Sequence, residues 1–223
     1  VIRLGVLASG SGSNLQALLD ACAAGRVDAK VAVVICNVPG ARAVARAEAA
    51  GVEAVVLPSK GVTDRPAYDR GVTEVLRARG VDLVCLAGFM RILSGEFIAE
   101  WGFGPATRGL PRLMNIHPAL LPSFPGLHGQ RQALAHGAKL AGCTVHFVEE
   151  GVDAGPIIVQ AAVPILPSDT EESLSGRILE QEHRIYPQAV QWFAQGRLSL
   201  SGRTVVLDRP GAPPAAVVSP PLE

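Results

Sequence analysis

The chain has 223 residues, 48% of them hydrophobic, with 20 basic and 20 acidic side chains and a formal net charge of zero. That length can bury one sizeable core or two small lobes. The charge balance argues against nonspecific binding to nucleic acid or an anionic membrane and leaves room only for a local basic rim. No apolar run approaches the ~20 residues needed to span a bilayer, and no cationic prelude precedes the first strand, so a soluble cytoplasmic protein is expected.

Runs rich in Val, Ile and Leu recur at 2 to 8, 31 to 36, 53 to 57 and 81 to 87, separated by Ala-, Arg- and Glu-rich stretches of helical length. This rhythm predicts βαβ units and an α/β fold: a doubly wound, Rossmann-like, mostly parallel sheet flanked by helices. After the first strand, Ser9-Gly10-Ser11-Gly12-Ser13-Asn14 is built of small residues whose backbone N–H groups can converge on an anion. A plain βα turn capped by Ser or Asn also fits these residues. The spacing is not that of a dinucleotide-binding loop, and the P-loop lysine is missing. Gly88-Phe89-Met90-Arg91-Ile92-Leu93 follows the fourth strand at the carboxyl edge, where open α/β sheets bind ligands. It suits a flat heterocycle held by backbone groups, or a staple packing the next helix.

The most informative stretch is Leu113 to Pro122. Side chains on a strand alternate, so Asn115 and His117 look out on one side while Ile116 points into the core, and Pro118 ends the pairing. An amide that can donate to an oxyanion beside an imidazole that can carry a proton meets the two needs of acyl transfer. Beyond it come a loop with Pro118, Pro122, Pro125 and Gly126, a short helix over 130 to 136, and strands over 143 to 148 and 157 to 165. The short connection makes those two strands antiparallel, giving an antiparallel addition to the sheet in the C-terminal half. A long amphipathic helix over 170 to 195 closes the body. The expected organisation is one domain over 1 to 200, with halves at 1 to 110 and 111 to 200, followed by a short strand and a Pro-rich tail over 201 to 223.

Asp153 lies 36 residues beyond His117 between Gly151 and Gly155. It is either a turn former or a carboxylate that bends back to the imidazole. His146, in an apolar strand, reads as a core residue or as support for the site, and His128, His136 and His183 as solvent-facing. Cys22, Cys36, Cys85 and Cys143 are scattered and read as reduced core thiols. No histidine pair has metal spacing, so no metal is expected.

Ser-Gly-x-Gly-Ser-Asn at 9 to 14, Leu-Ala-Gly-Phe-Met-Arg-Ile-Leu at 86 to 93, Asn-Ile-His-Pro-x-Leu-Leu-Pro at 115 to 122 and Val-Asp-x-Gly-Pro-Ile at 152 to 157 together resemble the phosphoribosylglycinamide formyltransferase family, from about residue 2 to Gly196. The resemblance implies a one-carbon transferase of purine biosynthesis that moves the formyl group of 10-formyltetrahydrofolate, a co-substrate, to the amine of glycinamide ribonucleotide. It makes Asn115, His117 and Asp153 the catalytic trio, with Gly12, Ser13 and Asn14 on the substrate phosphate and Glu182 on the ribose. Gly88 and Pro118 would flank the glycinamide arm. Arg65, Phe89, Met90, Arg91, Ile92, Leu93, Val148, Glu149 and Gly151, with Asn115 and Asp153, would line the folate site.

Two features depart from the family pattern: the segment 102 to 109 looks like an insertion, and Leu179 stands where several relatives are polar near the phosphate. In this reading Asn115 donates to the oxyanion, and Asp153 keeps His117 partly cationic. A 10-formyltetrahydrofolate hydrolase can use the same trio with water replacing the amine. A formyltransferase acting on tRNA needs an added RNA-binding domain and a basic surface, and a non-enzymatic nucleotide sensor has no use for the trio. The expected partners are small molecules, not nucleic acid or membrane, and a homodimer is compatible with the sequence.

Overall fold

A computed structural model describes residues 1–104, 109–212, 217 and 219. The elements are β1 (Ile2–Ala8), α1 (Ser13–Ala23), β2 (Ala29–Cys36), α2 (Arg42–Ala49), β3 (Ala54–Val56), α3 (Arg65–Ala78), β4 (Leu83–Leu86) and α4 (Gly95–Trp101). There follow β5 (Leu113–His117), α5 (Gly129–Ala135), β6 (Leu140–Phe147), β7 (Ile157–Pro164), α6 (Glu171–Ala194), β8 (Leu198–Ser201) and β9 (Thr204–Leu207). Seven strands form one sheet in the order β3-β2-β1-β4-β5-β6-β7, while β8 and β9 form a separate hairpin that straddles position 200. Strands β1 to β5 are parallel; β6 runs against β5 and β7 against β6. The centre of the segment 102 to 109, at 105–108, and most of the Pro-rich tail lie outside the described residues.

Period-two alternation sorts the strands into two apolar faces. Leu4, Val6, Cys85, Met114, Ile116, Cys143 and Val145 pack beneath α1 and α6, against Leu15, Leu18, Leu174, Ile178 and Val190. Leu7, Val33, Ile35, Val84, Leu86 and Leu113 pack beneath α3 and α4, against Val72, Leu76, Phe97 and Trp101. The second cluster takes nothing from β6 or β7. The helices of α3 and α4 therefore cover that face only as far as β5.

Helix α6 starts at a reciprocal cap, in which the Thr170 side chain accepts from the Ser173 N–H and the Ser173 side chain from the Thr170 N–H. Its buried Tyr186 hydroxyl lies 2.9 Å from the Leu86 carbonyl and 3.2 Å from that of Met114, so its one proton ties the helix to the carboxyl end of β4 and the start of β5. Cys36, Cys85 and Cys143 are buried and Cys22 half-buried, all as free thiols. Burial pushes the Cys85 and Cys143 thiols up to about 12, which makes them poor nucleophiles. No helix among the described residues is long and apolar enough to cross a membrane.

Candidate active site

The strand order reverses between β1, which turns back to β2, and β4, which goes on to β5, so the loops after β1 and β4 part above the sheet. A cavity of about 210 Å³ opens there, lined by residues 9 to 14 with Ala87, Gly88 and Met90. Gly12 caps α1 in the left-handed conformation, φ 70°, with no side chain bonded to the helix start. A Cβ on Gly12 would stand 2.9 Å from the Ala43 Cα. Only glycine lets α2 approach while the first-turn N–H groups of Ser13 and Asn14 stay open to an anion. Ser9 binds the two loops together, its hydroxyl accepting from the Met90 N–H at 2.8 Å and donating to Asn37. The turn of small residues is thus a cradle on the cavity wall.

Two further side chains approach this cradle, of which Arg46 carried no signal in the sequence and His183 only its place beside Glu182. Arg46 of α2 donates from Nε to the Ser11 carbonyl and from Nη1 to Gln16, both at 2.9 Å, and brings a positive charge to the loop. His183, expected to face solvent, is only part-exposed, and its Nε2 is buried with no partner among the described residues. Glu182 is buried and accepts from Asn14 Nδ2 at 2.6 Å. Burial raises its carboxyl above the usual range, only partly offset by the Asn14 bond. Asn14 Oδ1 is likewise buried without a partner among the described residues, so a polar ligand can take up its lone pairs. Leu179 lies three residues before Glu182 on α6, part-buried.

Asn115 and His117 do project on one side of β5, and β6 supplies their neighbours: His146 stands opposite Asn115 and Thr144 opposite His117. These four form a polar square on the sheet face that α3 and α4 leave uncovered. Two loops close over it. The segment after His117 contributes the Phe124 carbonyl, 3.1 Å from His117 Nε2. The β6–β7 connection folds back so that Asp153 Oδ2 lies 3.3 Å from His117 Nδ1 and accepts the Gly126 N–H at 2.8 Å. The structure therefore brings together Asn115, His117 and Asp153, and Asp153 achieves this with φ 52°, unusual for a residue with a side chain. Thr144 and Gln160 of β7 anchor the chain beyond Pro118, through Thr144 Oγ1 to the Ala119 carbonyl at 2.7 Å and Gln160 Nε2 to the Leu121 carbonyl at 2.8 Å.

Proton positions follow from the acceptors. His146 Nδ1 sits 2.8 Å from the Phe147 carbonyl, which can only accept, so a neutral His146 carries its proton there and offers Nε2 as an acceptor. Asn115 Nδ2 lies 3.2 Å from that nitrogen, with its other N–H at a loose 3.5 Å from Asp153 Oδ1. The amide is thereby oriented, and its weakly held N–H is the one an oxyanion can take. Burial raises the Asp153 carboxyl, but His146, the Gly126 N–H and the charge of His117 outweigh it and leave it below the usual range. The firmer of these are Gly126 and His117, because His146 Nε2 is 3.7 Å away, beyond hydrogen-bonding reach.

For His117 the expectation of a partly cationic ring needs correction. The ring is 5% exposed, and burial lowers its pKa below 6.5 more than Asp153 and the Phe124 carbonyl raise it. It rests largely neutral at pH 7, yet both nitrogens face acceptors, so charge that develops during a reaction finds partners in place.

On the other wall the segment after β4 splits by alternation. Phe89 and Leu93 turn into the core at 8% and 7% exposure, whereas Met90 and Ile92 stand out at 67% and 64%. Arg91 stacks 4.1 Å over the Tyr68 ring, and Arg65, one turn earlier on α3, is exposed. Gly88 has φ 74°, and its carbonyl accepts the Ser9 N–H. Pro118 is part-buried directly after His117. Val148 bridges β5 and the 102 to 109 segment, its N–H donating to the Leu113 carbonyl and its carbonyl accepting from Phe103. The Glu149 carboxylate is held by Arg203, and Gly151 forms the bend with φ 115°. Asn115, His117 and Asp153 do not line the 210 Å³ cavity; they lie under the two loops beside it. No group of three or more His, Cys, Asp or Glu that could hold a metal occurs among the described residues.

A loop whose N–H groups can receive an anion and an oriented amide–imidazole–carboxylate cluster on one open α/β sheet are equipment suited to an enzyme of the acyl-transfer class. The chain belongs to the formyl transferase family, whose sequence pattern matches residues 2–190. It is 43% identical over 209 residues to the phosphoribosylglycinamide formyltransferase of Escherichia coli, covering 94% of this chain and 95% of that protein. It is 52% identical over 201 residues to the trifunctional purine biosynthetic protein adenosine-3 of Drosophila melanogaster, covering 89% of this chain but spanning only 14% of that relative's length. Among solved structures, glycinamide ribonucleotide transformylase 1 of Symbiobacterium toebii superposes with TM-score 0.87 at 54% identity, over 93% of this chain and 94% of that one. A formyltetrahydrofolate deformylase from Pseudomonas syringae shares the fold at TM-score 0.82 but only 26% identity, with 93% of this chain matching 66% of that one.

Proposed function

We propose that this chain transfers the formyl group of 10-formyltetrahydrofolate to the amine of glycinamide ribonucleotide, giving formylglycinamide ribonucleotide and tetrahydrofolate, in cytoplasmic de novo purine biosynthesis. Relatives named for this reaction support the reading, and one geometric observation carries it. Leu7, Leu86 and Asn115 are in register across β1, β4 and β5, so the strand end from which the cradle loop departs and Asn115 are two strand spacings apart. Two spacings are about 10 Å, the reach of a phosphoribosyl unit with a short amine arm. A phosphate held by Gly12, Ser13 and Asn14 then sets the amine beside Asn115. Glu182, already bonded to Asn14, suits the ribose hydroxyls, and Gly88 and Pro118 border the path of the arm. The folate co-substrate fits the far side, where Met90, Ile92 and Val152 present exposed apolar surface next to Arg65, Arg91 and the 148 to 153 loop.

In the reaction the neutral amine nitrogen bonds to the formyl carbon, and the carbonyl π electrons move to oxygen. Asn115 donates to that oxyanion, and His117, becoming cationic against Asp153, adds charge stabilisation. Collapse of the intermediate breaks the carbon–N10 bond. The attacking nitrogen loses one proton and N10 gains one, with His117 and Asp153 as the relay at hand. His117 Nε2 reaches the reacting atoms only after exchanging its present partner, the Phe124 carbonyl. Holding both substrates at once supplies the orientation that makes the step effectively unimolecular.

The decisive assay follows deformylation of 10-formyltetrahydrofolate with and without glycinamide ribonucleotide. Tetrahydrofolate formation that requires the amine, with a formylated nucleotide product, is the expected result. Release of formate without the amine would establish a hydrolase instead.

A further inference from the structure

The β6–β7 loop that carries Asp153 is held from outside by the terminal hairpin. Arg203, in the turn between β8 and β9, donates from Nη1 to Glu149 Oε2 at 2.8 Å and from Nη2 to Glu149 Oε1 at 2.9 Å. The same Nη2 donates to the Ala154 carbonyl at 2.6 Å. One planar guanidinium thus grips both ends of the turn, Glu149 before it and Ala154 after it, with the bend residues 150 to 153 between. The geometry points to Arg203 as a positioning residue for the reaction, a staple that holds the Asp153 turn in its reactive shape from a hairpin lying beyond residues 2–190, the extent of the family pattern. This rests on the formyl-transfer reading above.

Three observations favour positioning over mere hairpin stability. Arg203 is 60% exposed and adds little to packing of the hairpin, which is seated by Leu198, Val205 and Leu207 against the main core. The turn it spans needs outside support, because Gly151 at φ 115° and Asp153 at φ 52° both occupy the left-handed half of backbone space. Apart from the Gly126 N–H on the Asp153 carboxylate itself, the other anchors lie at the ends of the connection: the Phe103 N–H on the Val148 carbonyl and the Glu150 carboxylate against the first turn of α4, where a Cβ on Gly95 would meet it at 2.8 Å, at the entrance, and the Phe147 N–H on the Pro156 carbonyl at the exit. Arg203 fixes the carbonyl next to Asp153. A lysine cannot reproduce two parallel bonds to a carboxylate and a third to a carbonyl.

The test compares wild type with Arg203→Ala, Arg203→Lys, Glu149→Gln and the double variant Arg203→Ala/Glu149→Gln. In Arg203→Ala kcat/KM for 10-formyltetrahydrofolate should fall about fivefold, shared between a higher KM and a lower kcat, the scale of one partly exposed ion pair. The KM for glycinamide ribonucleotide should stay unchanged, since its cradle lies across β4. Arg203→Lys should recover part of the loss, and the double variant should be no worse than Arg203→Ala. Hydrogen exchange gives a readout independent of turnover: protection should fall across 149 to 155 and hold across β5. Equal rises in both KM values, or exchange that quickens throughout the chain, would overturn the staple in favour of general loosening. Unchanged kinetics and exchange in Arg203→Ala would overturn it while leaving formyl transfer intact. A wild type that transfers no formyl group defeats the proposed function instead, and the exchange measurement then still judges the staple.

Discussion

Replacing Asp153 by Asn removes one charge at nearly constant shape. The carboxylate now lies 3.3 Å from His117 Nδ1, and the two side chains are 12% and 7% exposed. Unit charges at 3.3 Å in an effective dielectric of ~20 attract by 332/(20 × 3.3), about 5 kcal/mol, which is a ceiling because the site still meets some solvent. Measured hydrogen bonds to charged groups contribute about 1.5–3 kcal/mol, and asparagine keeps one acceptor oxygen, so roughly 2–3 kcal/mol is the expected loss. The attraction exists only while His117 is cationic, and burial keeps the resting ring mostly neutral at pH 7. The loss therefore falls on the transition state and appears in kcat, as a drop of roughly 30- to 160-fold, with KM for either substrate little changed.

The pH dependence gives this prediction a second handle. Asp153 and the Phe124 carbonyl are the two influences that raise the His117 pKa against burial. Removing the first leaves burial less opposed, so the ionisation assigned to His117 in the kcat profile must move to lower pH in Asp153→Asn. Formyl-transfer rates measured from acid to mildly alkaline pH, with both substrates saturating, test both parts. A variant with normal kcat and a raised KM, or one whose ionisation moves to higher pH, would refute the reasoning.

Asn115→Ala should lose about 10²-fold or more in kcat, as removal of one oxyanion donor does, with melting temperature nearly unchanged; a loss below tenfold would shift the oxyanion role elsewhere. Glu182→Gln removes a buried carboxylate whose pKa is raised, so its ionised form is penalised in the folded state at pH 7 and the penalty fades as pH falls. The variant should be more stable by about 1 kcal/mol, roughly 2–4 °C in melting temperature, and flatter in stability below neutral pH, while its KM for the nucleotide rises; a lower melting temperature would contradict this. Gly12→Ala must accept φ 70° at about 1–2 kcal/mol, together with a Cβ 2.9 Å from the Ala43 backbone. It should raise the nucleotide KM and leave the folate KM alone, and an unchanged nucleotide KM would remove the cradle from substrate binding.

Much of this arrangement could be read from local pattern. The apolar runs expected at 2 to 8 and 31 to 36 became β1 and β2, the helix expected over 170 to 195 became α6, and the short connection before Ile157 did join antiparallel strands. Each depends on residues close in the chain. The same alternation that set Asn115 with His117 also sets Thr144 with His146, but their meeting required the β5–β6 register, which no local pattern carries. Arg46 and Arg203 were invisible for a similar reason: each reaches the site from an element placed by packing far from the motif it serves. Gly88 to Leu93 looked like a ligand segment or a helix staple and is divided between the two, with Phe89 and Leu93 in the core and Met90 and Ile92 outside. The expected charge on His117 failed on a quantity absent from any motif, the depth of its burial.

The change of strand direction after β5 explains why a reactive cluster can sit in the middle of a sheet face. Parallel neighbours need crossover helices, and α3 and α4 accordingly seal their face from β1 to β5 with Leu76, Phe97 and Trp101. Once β6 and β7 run antiparallel, one connection needs only a loop, and α5 in the other packs Ala133 into the opposite face. The face bearing Asn115, His117, Thr144 and His146 is left to two loops joined where Gly126 donates to Asp153. Loops can open for substrates where a packed helix cannot. The polar residues on that face are thus tolerated by the fold and reachable by ligands for the same reason: among the described residues no third helix covers them. If Asp153 acts in catalysis as proposed, the covering loop must hold it to within fractions of an ångström, which is the requirement that a clamp at Glu149 and Ala154 would meet.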